Sequence, residues 1–272
     1  MINKLHHKRK ITKDFNVETY RKYLILAKRY NYKFISFSNF NKKNFKKKKL
    51  IILRHDVDID LKLAELFAKI EFDLNIKSTF FVMTNNNLYN LFSKNSKKII
   101  YKILSYGHSI GLHHDVSYYK NYNLNVIKKN INREIKFINE IFSYKIKYVS
   151  FHKPEKFLLK KKIINKNFIS VYNKEFISSK LIRYISDSGA FWKEKPLNEI
   201  LKENNKTAIH LLIHPELYFF SKKRILNERI NKIVNYKGFL LHSLAEEEIN
   251  SLENKIRIYK NDKKNRISIQ PY

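Results

Sequence analysis

Between residues 14 and 31 ("DFNVETYRKYLILAKRYN"), Tyr20, Tyr23, Leu24, Ala27 and Tyr30 recur three or four positions apart, one face of an amphipathic helix with Asp14 placed to cap it. "YKFISF" (32–37) reads as a short strand, and a basic loop runs to Lys49. "LIILRH" (50–55) is an unbroken apolar run of the kind carried by a strand buried on both faces. Asp60 is set to cap a helix over 61–75, where Leu63, Ala64, Phe67, Ala68 and Glu71 keep the helical period. "KSTFFVM" (77–83) returns to strand composition, and a helix over 95–107 ends at Gly107. After "HSIGLHHD" (108–115) come a helix from about 123 to 142 and strands "KYVSFH" (147–152) and "FISVYN" (168–173). The segment "RYISDSGAFW", a strand "TAIHLLIH" (207–214) and two C-terminal helical stretches complete the chain.

Strands and helices alternate, and the strands end in His or Asp. This pattern predicts a parallel α/β barrel or sheet with its site at the carboxyl ends of the strands. No internal repeat or Pro/Gly-rich linker divides the 272 residues, so a single domain over 1–272 is expected. Its core spans about 50–220, with an N-terminal helix and strand extension over 1–49 and C-terminal helices over 221–272.

Composition narrows the chemistry. Lys and Arg number 56 against 24 acidic residues, a formal net charge of +32. The excess is spread along the chain, as in "NKKNFKKKKL" and "KKKIINKNF", so it marks a compositional bias rather than a nucleic-acid patch, and no specific nucleic-acid partner is expected. Without cysteine there is neither a disulfide nor a thiolate metal site, and any metal falls to His, Asp or Glu. The basic N-terminus leads into no apolar segment, and no run is long enough to span a membrane. The expected location is cytoplasmic, with peripheral attachment to an anionic membrane left open.

Against this bias the scarce residues cluster. The chain has four glycines, four prolines and one tryptophan. Gly107 and Gly111 bracket "GHSIGLHH", Pro154 and Pro215 complete "HKP" and "HPE", and Trp192 follows "SDSGA". His55, His108, His113, His114, His152 and His214 occupy the same segments. Metal chemistry needs neutral imidazoles and carboxylates converging from different strands. Asp56 and Asp58, two apart, share a face if the strand stays extended, and His113 arrives from a neighbouring strand end. His108 reads as a capping or supporting residue, His210 as structural, and Asp60 as a cap. His6, His7 and His242 fall outside the clusters.

The ordered series "LRHDVD", "STFFV", "GHSIGLHHD", "SFHKP", "SDSGAFW" and "LLIHPE" resembles the polysaccharide deacetylase superfamily, the NodB-homology or carbohydrate esterase family 4 enzymes, in a divergent form over about residues 50–220. The resemblance implies a distorted (β/α) barrel of about seven parallel strands. It also implies a metal-dependent hydrolase, most often with Zn2+, that removes an acetyl group from an N-acetylated sugar. It makes Asp56 the general base and Asp58 a metal ligand. Val57 separates these two where the family has adjacent aspartates, so the roles are open to exchange. His113 corresponds to the first histidine of the metal pair, and Ser117 stands where the second is usual. His55, His114, Asp115 and His152 are the alternatives for completing the shell, with His152 also a candidate substrate contact. His214 corresponds to the general acid and Asp187 to a group that orients a catalytic partner. Apart from the resemblance, Tyr118, Tyr119, Phe191 and Trp192 are aromatic candidates for a sugar platform, with core packing the simpler use of all but Trp192. The implied partner is an acetylated glycan or a sugar intermediate of surface-polysaccharide or glycoconjugate synthesis. A metal-dependent amidase on a non-sugar C–N bond and a catalytically silent glycan-binding barrel are the alternatives.

Overall fold

A computed structural model of the chain describes residues 15–40, 49–118, 123–154, 158–159, 163, 165–177, 182–204, 208–218 and 226–267. Asp14, His6, His7 and Tyr119, singled out above, lie outside the described residues, as does the side chain of Tyr118. The contacts divide the chain into two compact units, 11–221 and a second formed by 1–10 with 222–272.

In the larger unit the elements run α1 (Val17–Arg29), β1 (Lys33–Ile35), β2 (Leu50–Asp56), α2 (Leu61–Asp73), β3 (Thr79–Val82), α3 (Lys94–Ser105) and β4 (Ser109–Asp115). They continue through α4 (Leu124–Phe142), β5 (Tyr148–His152), β6 (Ile169–Ser170), α5 (Lys174–Ile177), β7 (Ile182–Ser186), α6 (Leu197–Lys202) and β8 (Ala208–Ile213). The strands form one sheet in the order β6-β5-β4-β3-β2-β8-β7, with β1 on the first half of β2. Every pairing is parallel. This is the expected α/β fold, a curled parallel sheet of seven strands in continuous order with helices on its outside. Parallel pairing brings all the carboxyl ends to one rim, where the polar strand ends of the sequence collect.

Local chemistry sets the element ends. Asn16 caps α1, its Oδ1 accepting from Thr19 N at 2.8 Å, and Asp60 caps α2 by accepting from Lys62 N at 2.7 Å. Gly107 ends α3 in the left-handed region at φ +80°. The strand expected over 168–173 keeps only Ile169–Ser170. Tyr172 N donates to Ser170 Oγ and Asn173 N to Ser170 O, so the serine turns the backbone out of the ladder.

Period two sorts β2, β3 and β4 into two faces. Asp56, Phe81 and Gly111 are register neighbours on the inner face, while His55, Phe80 and Ile110 face the helices. Gly111 is required by close packing. A Cβ there would sit 2.4 Å from Phe81 Cε1, so the glycine makes room for the ring that supports Arg54 and Asp56.

The second unit carries α6's successor, α7 (Leu226–Ile267), a single helix of 42 residues where two helical stretches are expected. No proline interrupts it. Gly238 costs a helix about 1 kcal/mol, too little to stop one of this length. Among the described residues no helix is long and apolar enough to cross a membrane.

Candidate metal and acid–base site

The rim of the sheet surrounds a cavity of about 660 Å³ whose wall includes Asp56, Asp58, His113, His152, His214 and Glu216. β2 ends at Asp56 on the inner face. Beyond it, Val57 N donates to Phe81 O at 3.0 Å, Tyr89 OH to Val57 O at 2.9 Å and Asn86 Nδ2 to Asp58 O at 2.9 Å. These bonds carry the chain one step past the strand and fix Asp58 over the opening.

Three donor atoms meet there. Asp58 Oδ1 lies 3.1 Å from His113 Nε2 and 3.3 Å from His152 Nδ1, and all three fall within 4.8 Å of one another. Asp58 Oδ1 is buried and faces both imidazoles without a well-formed hydrogen bond. Burial alone would raise the Asp58 pKa, but His113 and then His152 hold it well below the usual carboxylate range. The Asp58 carboxylate raises that of His152 in turn.

The hydrogen bonds behind His113 determine which of its nitrogens is free. His113 Nδ1 sits 2.6 Å from Ser150 Oγ, its register neighbour on β5, and Ser150 Oγ donates onward to Asp56 Oδ1 at 3.4 Å. A hydroxyl has one proton, so with it directed at Asp56 the serine accepts from His113 Nδ1–H. The lone pair of His113 is then on Nε2, the nitrogen that faces Asp58. A carboxylate and two imidazoles, one held in the ligating tautomer by a neighbour, fit a divalent cation of the zinc type.

Asp56 is clamped from its own strand. Arg54, wholly buried, donates Nε to Asp56 Oδ1 at 2.8 Å and Nη2 to Oδ2 at 2.6 Å, with a third bond to Tyr172 OH at 2.9 Å. Burial pushes the Asp56 pKa up, but Arg54 and then His113 outweigh it, so the carboxylate is ionised and its orientation fixed.

The opposite wall carries a second acid–base pair. Asp187, just past β7, accepts from His214 N at 2.8 Å and faces His214 Nδ1 at 2.5 Å. Burial disfavours the imidazolium, but the Asp187 carboxylate overcomes it and the His214 pKa is raised to about 10. Pro215 and a single 3-10 turn, Pro215–Leu217, place Glu216 on the same wall. Burial and then Asp58 push the Glu216 pKa well above the usual range.

The structure brings Asp56, Asp58, His113, His152, His214 and Asp187 together and sends the other candidates elsewhere. His55 is on the helix-facing side of β2, 2.6 Å from Glu71 Oε1 and stacked on Phe80, so strand alternation removes it from the cavity. Glu71 also accepts from Tyr20 OH and lies near His108. His114 points outward in the same way, with Nδ1 2.9 Å from Glu134 of α4. Asp115 Oδ1 accepts from both the backbone N and Oγ of Ser117, so the serine at the usual second-histidine position closes a turn on Asp115. Trp192 is buried between Phe15 and Tyr23 outside the cavity, a core residue of the α1 side rather than a sugar platform. Arg54, Ser150, Tyr172 and Glu216 escape the sequence reading. Arg54 carried a usable signal: it stands two residues before Asp56 on β2 and so on the same face.

Comparison with known protein families gives a match over part of the chain. The polysaccharide deacetylase family matches residues 44–165, the stretch that carries β2 to β5 with Asp56, Asp58, His113 and His152. The match covers less than half of the chain, so it marks a likeness to this family over that stretch. No curated protein matches the sequence. Among solved structures, a family 4 carbohydrate esterase from Bacillus anthracis is similar at 19% identity and TM-score 0.30, over 47% of this chain. The chain spans 56% of that esterase's length. The Streptococcus pyogenes deacetylase PplD in complex with acetate is 12% identical over 75% of this chain and 82% of its own, TM-score 0.43. The catalytic domain of peptidoglycan N-acetylglucosamine deacetylase from Eubacterium rectale is 13% identical over 69% and 83%, TM-score 0.39.

Proposed function

We propose that the chain is a metal-dependent hydrolase that removes the acetyl group from an N-acetylated sugar, in the synthesis of a surface polysaccharide or glycoconjugate. The observation that carries this reading is the convergence of Asp58 Oδ1, His113 Nε2 and His152 Nδ1 between two acid–base pairs, Arg54–Asp56 and Asp187–His214, in one cavity. The family match supplies the reaction class.

Asp58, His113 and His152 would hold the cation, and the mixed O and N donors favour zinc. When bound, a divalent cation supplies a Lewis acid for the acetyl carbonyl and lowers the pKa of water toward ~7. Asp56, kept ionised and aimed by Arg54, accepts the proton of the attacking water. His214, kept protonated by Asp187, gives its Nε2 proton to the departing amine nitrogen. The water's oxygen forms the new bond to the acetyl carbon and the C–N bond breaks, so acetate and a free amino sugar leave.

Elemental analysis of the purified chain after loading with zinc tests the site. About one metal per chain is expected, with loss in the Asp58→Ala, His113→Ala double variant. Acetate release from N-acetylated oligosaccharides, absent in Asp56→Asn, then tests the chemistry. A chain that refuses metal overturns the reading in favour of a silent barrel. A metal-loaded chain that cleaves small amides and not acetylated sugars moves it to the amidase.

A further inference from the structure

Helix α7, considered on its own, carries an apolar seam with no use in the site. Val234, Leu241, Ala245, Ile249, Leu252 and Ile256 follow one another at intervals of seven, four, four, three and four residues. At roughly 100° per residue these positions stay within an arc of about 80°, the narrow stripe of a coiled-coil seam. The five large side chains are exposed, from 50% at Leu252 to 68% at Leu241. A stripe of this length on a helix of 42 residues is a surface that water leaves poorly covered.

Charge identifies the occupant. Glu246, Glu247, Glu248 and Glu253 form an acidic run, and the bases Lys255 and Arg257 follow it. Two such helices lying side by side in the same direction put acid on acid and base on base. Reversed, the acids at 246 and 248 can meet the bases at 257 and 255. With the centre of the reversed pair between positions 251 and 252, Glu246 of one copy stands opposite Arg257 of the other on one flank. On the other flank Glu248 stands opposite Lys255. The pairs fall on the correct sides without adjustment, since 246 and 257 share one edge of the seam and 248 and 255 the other. Near that centre Ile249 and Leu252 of the two copies interleave.

We propose that α7 is a dimerisation helix that pairs antiparallel with α7 of a second copy of the chain. The apolar seam supplies the attraction, and the acidic run and the bases that follow it set the direction.

Sedimentation equilibrium of the full chain at tens of micromolar, in physiological salt, tests this. The expected mass is twice the 33.0 kDa chain. Ile249→Glu with Leu252→Glu should give a monomer. Because two apolar losses could also unfold the helix, charge variants give a second test. Glu246→Lys with Glu248→Lys, and separately Lys255→Glu with Arg257→Glu, should each be monomeric, and an equimolar mixture of the two should recover the dimer mass. A wild-type monomer at that concentration overturns the proposal, whether or not the chain then binds anionic vesicles. So does a mixture that stays monomeric, or charge variants that remain dimers alone.

Discussion

Replacing Asp187 by asparagine removes the carboxylate that holds the proton on His214 while leaving an amide oxygen for the backbone N–H of residue 214. Asp187 is the principal group raising the His214 pKa to about 10, against burial, which lowers it. Without it, burial is opposed only by the smaller influences of Asp58 and Glu216, and His214 should fall back toward its ordinary 6.5. The consequence is steep at mild alkalinity: at pH 8 a group with a pKa near 10 is about 99% protonated, and one near 6.5 about 3%. If His214 donates the proton to the leaving amine, the variant should lose about 30-fold in rate at pH 8 and less than twofold at pH 6. The alkaline limb of the rate profile should move from about 10 to near 6.5. Histidine-selective NMR titration reads the same change with no substrate, and a pH–rate profile of acetate release reads it in turnover. A wild-type His214 that titrates near 6.5, or a variant whose alkaline limb stays near 10, would refute the assignment.

Arg54→Met should destabilise the chain by about 3–5 kcal/mol, because it leaves the Asp56 carboxylate buried with no cation. Urea unfolding should show most of that cost recovered when Asp56→Leu is added. A single-variant cost below about 1 kcal/mol would mean that Asp56 finds another partner. Glu71, buried with His55 and His108, has its pKa pushed up by burial but lowered overall by His55. Its contribution to stability is therefore complete above the unfolded carboxyl value of 4.5 and lost as pH falls through the lower folded value. Glu71→Gln should flatten the acid limb of stability against pH in thermal melts, and an unchanged limb would contradict the pairing.

The fold was legible because its strands are short apolar runs that end in rare polar residues, and β2, β3, β5 and β8 lie close to the expected ranges, while β4 forms from the segment "HSIGLHHD". Period two was as important as period 3.6. It makes His113 and Asp56 inner residues and His55 and His114 outer ones, a distinction available from Asp56 alone once the strand is recognised. What the sequence hides is side-chain pairing across distance. Nothing near His55 in the chain announces Glu71, which the following helix packs back against β2, and nothing near His113 announces Ser150, because parallel strands bring together residues separated by a whole crossover helix. Trp192 misleads for a related reason: scarcity in composition draws attention to it, whereas its place is set by the apolar faces of Phe15 and Tyr23.

Two features of the site depart from the pattern that the resemblance implies. Val57 separates Asp56 from Asp58, and Ser117, where a second histidine is usual after His113, is spent on Asp115. The cavity nonetheless gathers three donors, Asp58, His113 and His152, beside an Asp56 carboxylate clamped by Arg54. His152 ends β5, which pairs with β4, so the strand next to that of His113 brings the second imidazole. The requirement is electrostatic and geometric: an ionised base needs a fixed cation, a divalent metal needs ligating atoms that converge, and parallel register brings both sets to one rim.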